Sequence, residues 1–235
     1  MKVQDLPQNL SEISESLESR SPQDILRWAV DTYGSKLTMA TAFGAEGCVL
    51  LAMLAEIAPD IHAFNLETGY QFRETLELRE RIKDRYGIEV QYVRPEETVE
   101  AMEARFGGPI YRSRPDECCR IRKIEPLKRA VAGFDAWISA IRRDQTSDRA
   151  QSGIVEWDHK FQLVKVNPLA NWTKQDVWDY IEANDVPYNP LHKEGYPSIG
   201  CWPCTRPVDT ESGELDDRSG RWSGLAKVEC GLHSR

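Results

Sequence analysis

Leu37-Thr-Met-Ala-Thr-Ala-Phe43-Gly44-Ala45-Glu46-Gly47-Cys48 is the stretch on which the fold turns. Leu37 to Phe43 is an apolar run of strand length, Gly44 to Glu46 has turn chemistry, and Cys48 to Ile57 is apolar enough for a buried helix. That order predicts a buried strand, a tight turn and a helix packed on most of its faces. Backbone N–H groups at such a helix start suit a phosphate. The loop is not a Walker A sequence, because no Gly-Lys-Ser/Thr follows it.

The same alternation continues outward from this stretch. Upstream, Ser21-Pro22-Gln23-Asp24 carries a cap, a first-turn proline and a first-turn acid, so a helix is expected there, ending at Gly34. Downstream, Ile61 to Leu66 reads as a strand. Leu78, Ile82 and Tyr86, four apart, mark a helix from Phe72 to Tyr86. Ile88 to Val93 is strand-like and Glu96 to Phe106 helical. Glu117 to Val131 is a basic helix candidate in which Pro126 marks a kink or a boundary. Ala136 to Ile141 and Phe161 to Val166 are further strands, and Thr173 caps a helix containing Val177, Trp178 and Ile181. Strands alternating with helices predict an α/β fold around a mainly parallel sheet. Ligands of such sheets bind beyond the carboxyl ends of the strands, here after Phe43, Leu66 and Ile141. The expected organisation is an N-terminal extension over 1–20, an α/β domain over 21–207, and a mobile tail over 208–235 with few core-type residues.

With 235 residues, 40% of them hydrophobic, the chain is long enough to bury a core without disulfides. Met1 to Leu17 lacks the basic and apolar regions of an export signal, and no apolar run approaches the roughly 20 residues of a membrane span. A cytoplasmic protein is expected, with no membrane partner. The net charge of −8 argues against nucleic-acid binding. Basic groups at Arg112 to Arg129 and at Arg142, Arg143 and Arg149 suggest instead a small anionic ligand, against the plainer reading of solvated helix faces. Arg142 and Arg143 follow a strand, where guanidinium forks suit phosphate or sulfate oxygens. Arg218 and Arg221 add cations near the carboxyl end.

The six cysteines carry the most specific signal. Cys201-Trp-Pro-Cys204 alone fits a redox motif, half a zinc site or half a cluster site. Cys118 and Cys119 are adjacent, an awkward chelate for one tetrahedral ion, whereas a cluster of several irons offers each sulfur its own metal. Adjacent pair plus C-x-x-C therefore favours a 4Fe–4S cluster and leaves zinc open. Cys48 reads as a small core hydrophobe. Cys230 stands apart, five residues from the end in Glu229-Cys-Gly-Leu-His233. It is a candidate nucleophile, with His233 or nearby arginines favouring its thiolate, unless it is an incidental exposed thiol.

Four segments together resemble one family: Cys118-Cys119-Arg-Ile-Arg-Lys123, Trp137-Ile-Ser-Ala-Ile-Arg142-Arg143-Asp-Gln, Tyr196-Pro-Ser-Ile-Gly-Cys201-Trp-Pro-Cys204-Thr, and Glu229-Cys230-Gly-Leu-His233. The resemblance is to the sulfonucleotide reductases, specifically the iron–sulfur adenylyl-sulfate (APS) reductases, and runs from Leu37 to His233. It implies an adenine-nucleotide α-hydrolase-like sheet. It also implies one 4Fe–4S cluster on Cys118, Cys119, Cys201 and Cys204, with Lys123 between cluster and substrate. It makes Phe43, Gly44, Ala45 and Glu46 a modified phosphate loop and Glu67, Thr68 and Gly69 a nucleotide-contacting turn. Arg142 and Arg143 become an arginine loop, and Arg218, Arg221 and His233 a closing tail. The implied reaction converts APS and reduced thioredoxin, or a similar dithiol protein, into sulfite, AMP and oxidised thioredoxin, with Cys230 as nucleophile. An oligomer is left open. The alternatives are a reductase of the 3′-phosphorylated nucleotide (PAPS) and, on the same fold, an ATP-pyrophosphatase-type nucleotidyl transferase. The transferase predicts a Ser-Gly-Gly-x-Asp-Ser loop, which Thr41 to Gly47 lacks.

Overall fold

The computed structural model describes residues 9–208, 218–225, 227 and 229–233. The decisive stretch forms β1 (Leu37–Ala40) and α3 (Ala45–Ile57). Most of α3 is buried because α2 (Pro22–Tyr33), α4 (Arg73–Tyr86) and α8 (Lys174–Asn184) pack around it. Leu50, Leu51 and Leu54 have no exposed surface, and each such side chain contributes about 1.5–3 kcal/mol of burial. The caps follow the sequence: the Ser21 side chain accepts from the Asp24 N–H, and Thr173 and Asp176 cap α8 reciprocally.

Six strands form one sheet, ordered β3 (Val90–Val93), β2 (His62–Leu66), β1, β4 (Ala136–Ile138), β6 (Leu163–Val166) and β5 (Val155–Asp158). All neighbours are parallel except β5, which runs antiparallel to β6. The chain moves one way from β1 through β2 to β3, then returns to place β4 on the other side of β1. The crevice at that reversal is where an open α/β sheet receives its ligand. The sheet class agrees with the sequence expectation, but β5 was missed. Its four residues sit at an edge, only half-buried along most of their length, and carry too short an alternation to stand out.

Two further segments add detail. Pro126 marks a boundary within a continuous helical run, standing in the first turn of its last piece. The segment runs as α6 (Pro115–Cys119), a π-helical turn (Arg120–Ile124) and α7 (Glu125–Ala130), all in right-handed helical geometry. The widened turn just before Pro126 accommodates its missing N–H and its ring. In the segment set apart as an extension, α1 (Leu10–Leu17) lies on β5, and Ser14 Oγ accepts from the Val155 N–H at 3.2 Å. Residues 1–8 lie outside the described residues. Among the described residues, no helix is long and apolar enough to cross a membrane.

Candidate active site

A cavity of about 230 Å³ opens at the carboxyl ends of β1, β2 and β4, lined there by Thr41, Leu66 and Ser139. The start of α3 forms its floor with Gly44, Ala45 and Glu46. Thr41 shapes this loop: its Oγ1 accepts from the Phe43 N–H at 3.0 Å. A Cβ on Gly47 would come within 2.6 Å of that oxygen, so the hydroxyl occupies the space that only glycine leaves. Gly47 is therefore a requirement of the loop.

Four cations also line the cavity: Lys123, Arg149, Arg218 and Arg221. They arrive from the π turn, the loop after β4 and the tail. The Arg221 guanidinium lies on Gly200, where an added Cβ would meet its Nη2 at 2.2 Å. Burial drives the Arg218 guanidinium down to about 10, against the support of Glu229. Glu229 is itself buried. Its carboxylate accepts from Arg149 at 2.9 and 3.2 Å and lies 3.2 Å from Arg218 Nη2.

Cys230 follows Glu229 and lines the same cavity. Burial opposes ionisation of its thiol. The Lys123 ammonium, the Leu232 backbone N–H and Arg218 outweigh that opposition and hold Cys230 below the ordinary cysteine range. Burial pushes Cys48 and Cys118 up to about 12, and raises Cys119 and Cys204 as well. Cys230 thus has a different environment from these four. His233 stacks on Trp137 with ring centroids 5.9 Å apart. Burial and the nearby Lys165 and Arg149 hold its imidazole far below the usual histidine range. It is neutral, so Lys123, not His233, is the chief cation favouring the thiolate. Lys123→Met is expected to raise the pH midpoint of Cys230 alkylation by about one unit; an unmoved midpoint in the rate–pH profile would remove Lys123 from that role.

With this geometry in place, one comparison decides the family. The pattern of the phosphoadenosine phosphosulfate reductase domain matches residues 36–207. The chain belongs to that reductase family. It is 43% identical to the adenosine 5′-phosphosulfate reductase of Halalkalibacterium halodurans over 231 residues, covering 98% of this chain and 99% of the relative. It is 47% identical to the phosphoadenosine 5′-phosphosulfate reductase of Gloeobacter violaceus over 228 residues, covering 96% and 93%. Among solved structures, the PAPS reductase of Candida auris in its phosphate complex superposes with a TM-score of 0.75 at 31% identity, covering 84% of this chain and 96% of that one. The FMN adenylyltransferase of Candida glabrata shares the fold alone, with a TM-score of 0.60 at 14% identity over 94% of this chain and 76% of that one.

In this reductase the residues expected at the site divide. Gly44, Ala45, Glu46, Thr68, Lys123, Arg218, Arg221, Cys230 and His233 all line the cavity. Phe43 does not: it is turned into the core at 2% exposure, with a left-handed backbone at φ 55°. Glu67 closes its own turn, accepting from the Gly69 N–H at 2.7 Å, and pairs with Arg94. Gly69 makes room for Arg122, whose Nη2 would lie 2.9 Å from an added Cβ. Arg142 is buried against Glu46 and Asp144. It bolts the start of α3 to the loop after β4 and is not among the residues that line the cavity. Arg143 points away, to Glu18, Asn171 and the Ser152 carbonyl. Arg143→Gln is therefore expected to leave nucleotide affinity within about twofold, while Arg149→Gln weakens it about tenfold or more. A titration with AMP distinguishes them, and equal losses would contradict this assignment.

Sequence reasoning missed Thr41, Asn65, Gln71, Ser139, Gln145, His192 and Trp137 as cavity residues. For Thr41 and Ser139 a signal was present: each is the polar residue just past a buried strand. Asn65 was also readable, as a polar residue inside the apolar run of β2. Trp222 was missed for a different reason. It lies in a polar segment, yet it is 2% exposed and its N–H donates to the Cys204 carbonyl at 2.9 Å. Trp222, Glu229 and Cys230 of the tail are thus buried against the body of the protein.

Beside the main cavity, Cys118, Cys119, Cys201 and Cys204 line a smaller one with Tyr70, Pro203 and Trp222. The π turn carries Cys119 into Lys123, and Arg122 ties it to the turn at residues 67–69 by donating to the Thr68 carbonyl at 2.7 Å. All four cysteines are free thiols. Among the described residues, no three His, Cys, Asp or Glu side chains converge as a single-ion site. The donor chemistry nevertheless fits an iron–sulfur centre. The four sulfurs share their cavity with no carboxylate or imidazole. Cys118 is held protonated first by burial, then by repulsion from the charged forms of Cys119, Cys201 and Cys204. Four thiolates can coexist there only around a positively charged partner.

Proposed function

We propose that the protein reduces adenylyl sulfate to sulfite and AMP, using a dithiol protein such as thioredoxin as reductant, in the cytoplasm as part of sulfate assimilation. The observation that carries this reading is the meeting, in one cavity, of a thiol held below its ordinary range with Lys123, Arg149, Arg218 and Arg221. An activated sulfate joined to a nucleotide is dianionic and electrophilic at sulfur, and this thiol with its four cations suits both properties. The carboxyl edges of β1, β2 and β4, which line the same cavity, suit the nucleotide.

In the first step the Cys230 thiolate attacks the sulfo sulfur. The S–O bond to the phosphate breaks, and AMP leaves with that electron pair. Lys123 and the arginines offset the charge gathering on the phosphate and sulfo oxygens. Cys230 then carries a sulfo group. In the second step one thiolate of the dithiol partner attacks the Cys230 sulfur and sulfite departs with the S–S electron pair. The partner's second thiol resolves the mixed disulfide, leaving Cys230 reduced and the partner oxidised. Cys118, Cys119, Cys201 and Cys204 would hold a 4Fe–4S cluster, which when bound supplies a fixed charge and a rigid anchor beside Lys123.

An anaerobic visible spectrum with iron and sulfide analysis tests the cluster: a broad absorption lost in Cys118→Ser supports it, and its absence from the unaltered protein counts against it. The relative from Gloeobacter violaceus keeps PAPS as a second reading of the substrate. Competition of APS against PAPS in one assay separates the two, and a preference for PAPS would replace the first reading with the second.

A further inference from the structure

Two buried acceptors of the main cavity take no part in the chemistry above. Gln71 and His192 both line it. Gln71 Oε1 and His192 Nε2 are buried and have no hydrogen-bond partner among the described residues. Their character as acceptors is fixed by backbone carbonyls, which can only accept. Asn65 Nδ2 donates to the Thr41 carbonyl at 2.8 Å, which leaves Asn65 Oδ1 to accept from Gln71 Nε2 at 2.9 Å. Gln71 Nε2 also faces the Leu66 carbonyl at 3.4 Å. The Gln71 amide is thereby oriented, and its oxygen is left over. The His192 ring obeys the same logic. Nδ1 lies 2.9 Å from the Tyr196 carbonyl and must carry the proton. Burial holds the ring below the usual histidine range, so Nε2 keeps a bare lone pair.

The two residues belong to one wall. Phe72, next to Gln71, packs edge-on against Tyr196 at 5.7 Å. Asn189 Nδ2 donates to Thr75 Oγ1 at 3.0 Å, tying the same two segments together. The His192 ring is further fixed by Trp178, at 5.3 Å and 84°. Buried acceptors without partners are costly unless a ligand brings donors to them. A phosphate oxygen at either atom would set lone pair against lone pair.

We propose that Gln71 Oε1 and His192 Nε2 form a donor-reading wall, which selects the nucleotide by accepting hydrogen bonds from N–H or O–H groups of its nucleoside half and disfavours a phosphate there. This rests on the reading of the cavity as an adenine-nucleotide site and names which of its residues discriminate. Two parts of the ligand offer such donors: the exocyclic amine of the base and the ribose hydroxyls.

The test is equilibrium binding to the holoenzyme of AMP, purine riboside 5′-monophosphate, 2′-deoxy-AMP and 3′-deoxy-AMP. At least one analogue binds the unaltered protein about tenfold more weakly than AMP. Gln71→Leu and His192→Phe each weaken AMP by a similar factor, and each leaves unchanged the affinity for the analogue that lacks the donor it reads. That analogue identifies the base or the ribose as the group recognised. Equal binding of all four ligands by the unaltered protein overturns the proposal, as does an equal loss for all four in the variants. AMP that does not bind the unaltered protein at all overturns the adenine-nucleotide reading with it.

Discussion

Cys230→Ser is expected to reduce turnover to background while nucleotide affinity stays within about twofold of the unaltered protein. A serine hydroxyl keeps the rough size and polarity of the side chain but is a far weaker nucleophile at neutral pH, because almost none of it is ionised. The affinity should survive because the loop after β1, Lys123, Arg149 and Arg221 are untouched. Measuring kcat and AMP binding on the same preparation checks both halves. Residual turnover above background would mean that another group attacks the substrate.

Glu229→Ala is expected to have the second large effect, by releasing the tail. The Glu229 and Arg149 side chains are each 7% exposed, and Arg218 is 14% exposed. Removing the carboxylate takes a buried partner from two guanidinium groups at once. Breaking a buried pair in this way costs about 3–5 kcal/mol, and the least costly relief is for the tail to lift and hydrate them. Cys230, one residue on, would lift with it. The expected results are faster alkylation of Cys230 by iodoacetamide, a fall in kcat and a lower unfolding midpoint. Glu229→Gln keeps part of the hydrogen bonding and should fall between. An unchanged alkylation rate in Glu229→Ala would show that the tail is held by other contacts, such as Lys160 on the Gly231 carbonyl.

How much of this was legible in the sequence depended on whether the decisive interaction was local. The strand–turn–helix at Leu37–Ile57 could be read because a run of buried apolar residues and a glycine turn are written in consecutive positions. The basic character of the cavity was legible as a composition, but the direction of each cation was not. Arg142 and Arg143 are neighbours, yet one reaches Glu46 across 96 positions and the other Glu18 across 125. No local pattern encodes those pairings. Arg149 was visible only as a charge near them, and its value comes from Glu229, 80 residues away. Trp222 and Cys230 illustrate the same limit from the other side. Each lies in a polar segment, and each is buried by a surface built from distant residues.

The central claim is that Cys230 receives the sulfo group from the nucleotide. Its most direct test is to mix the reduced protein with APS in the absence of any dithiol and map the products by mass spectrometry. The account predicts one sulfo group per chain, on the peptide carrying Cys230, released as sulfite when reduced thioredoxin is added. A sulfo group on any other cysteine, or turnover with no adduct on Cys230, would contradict it.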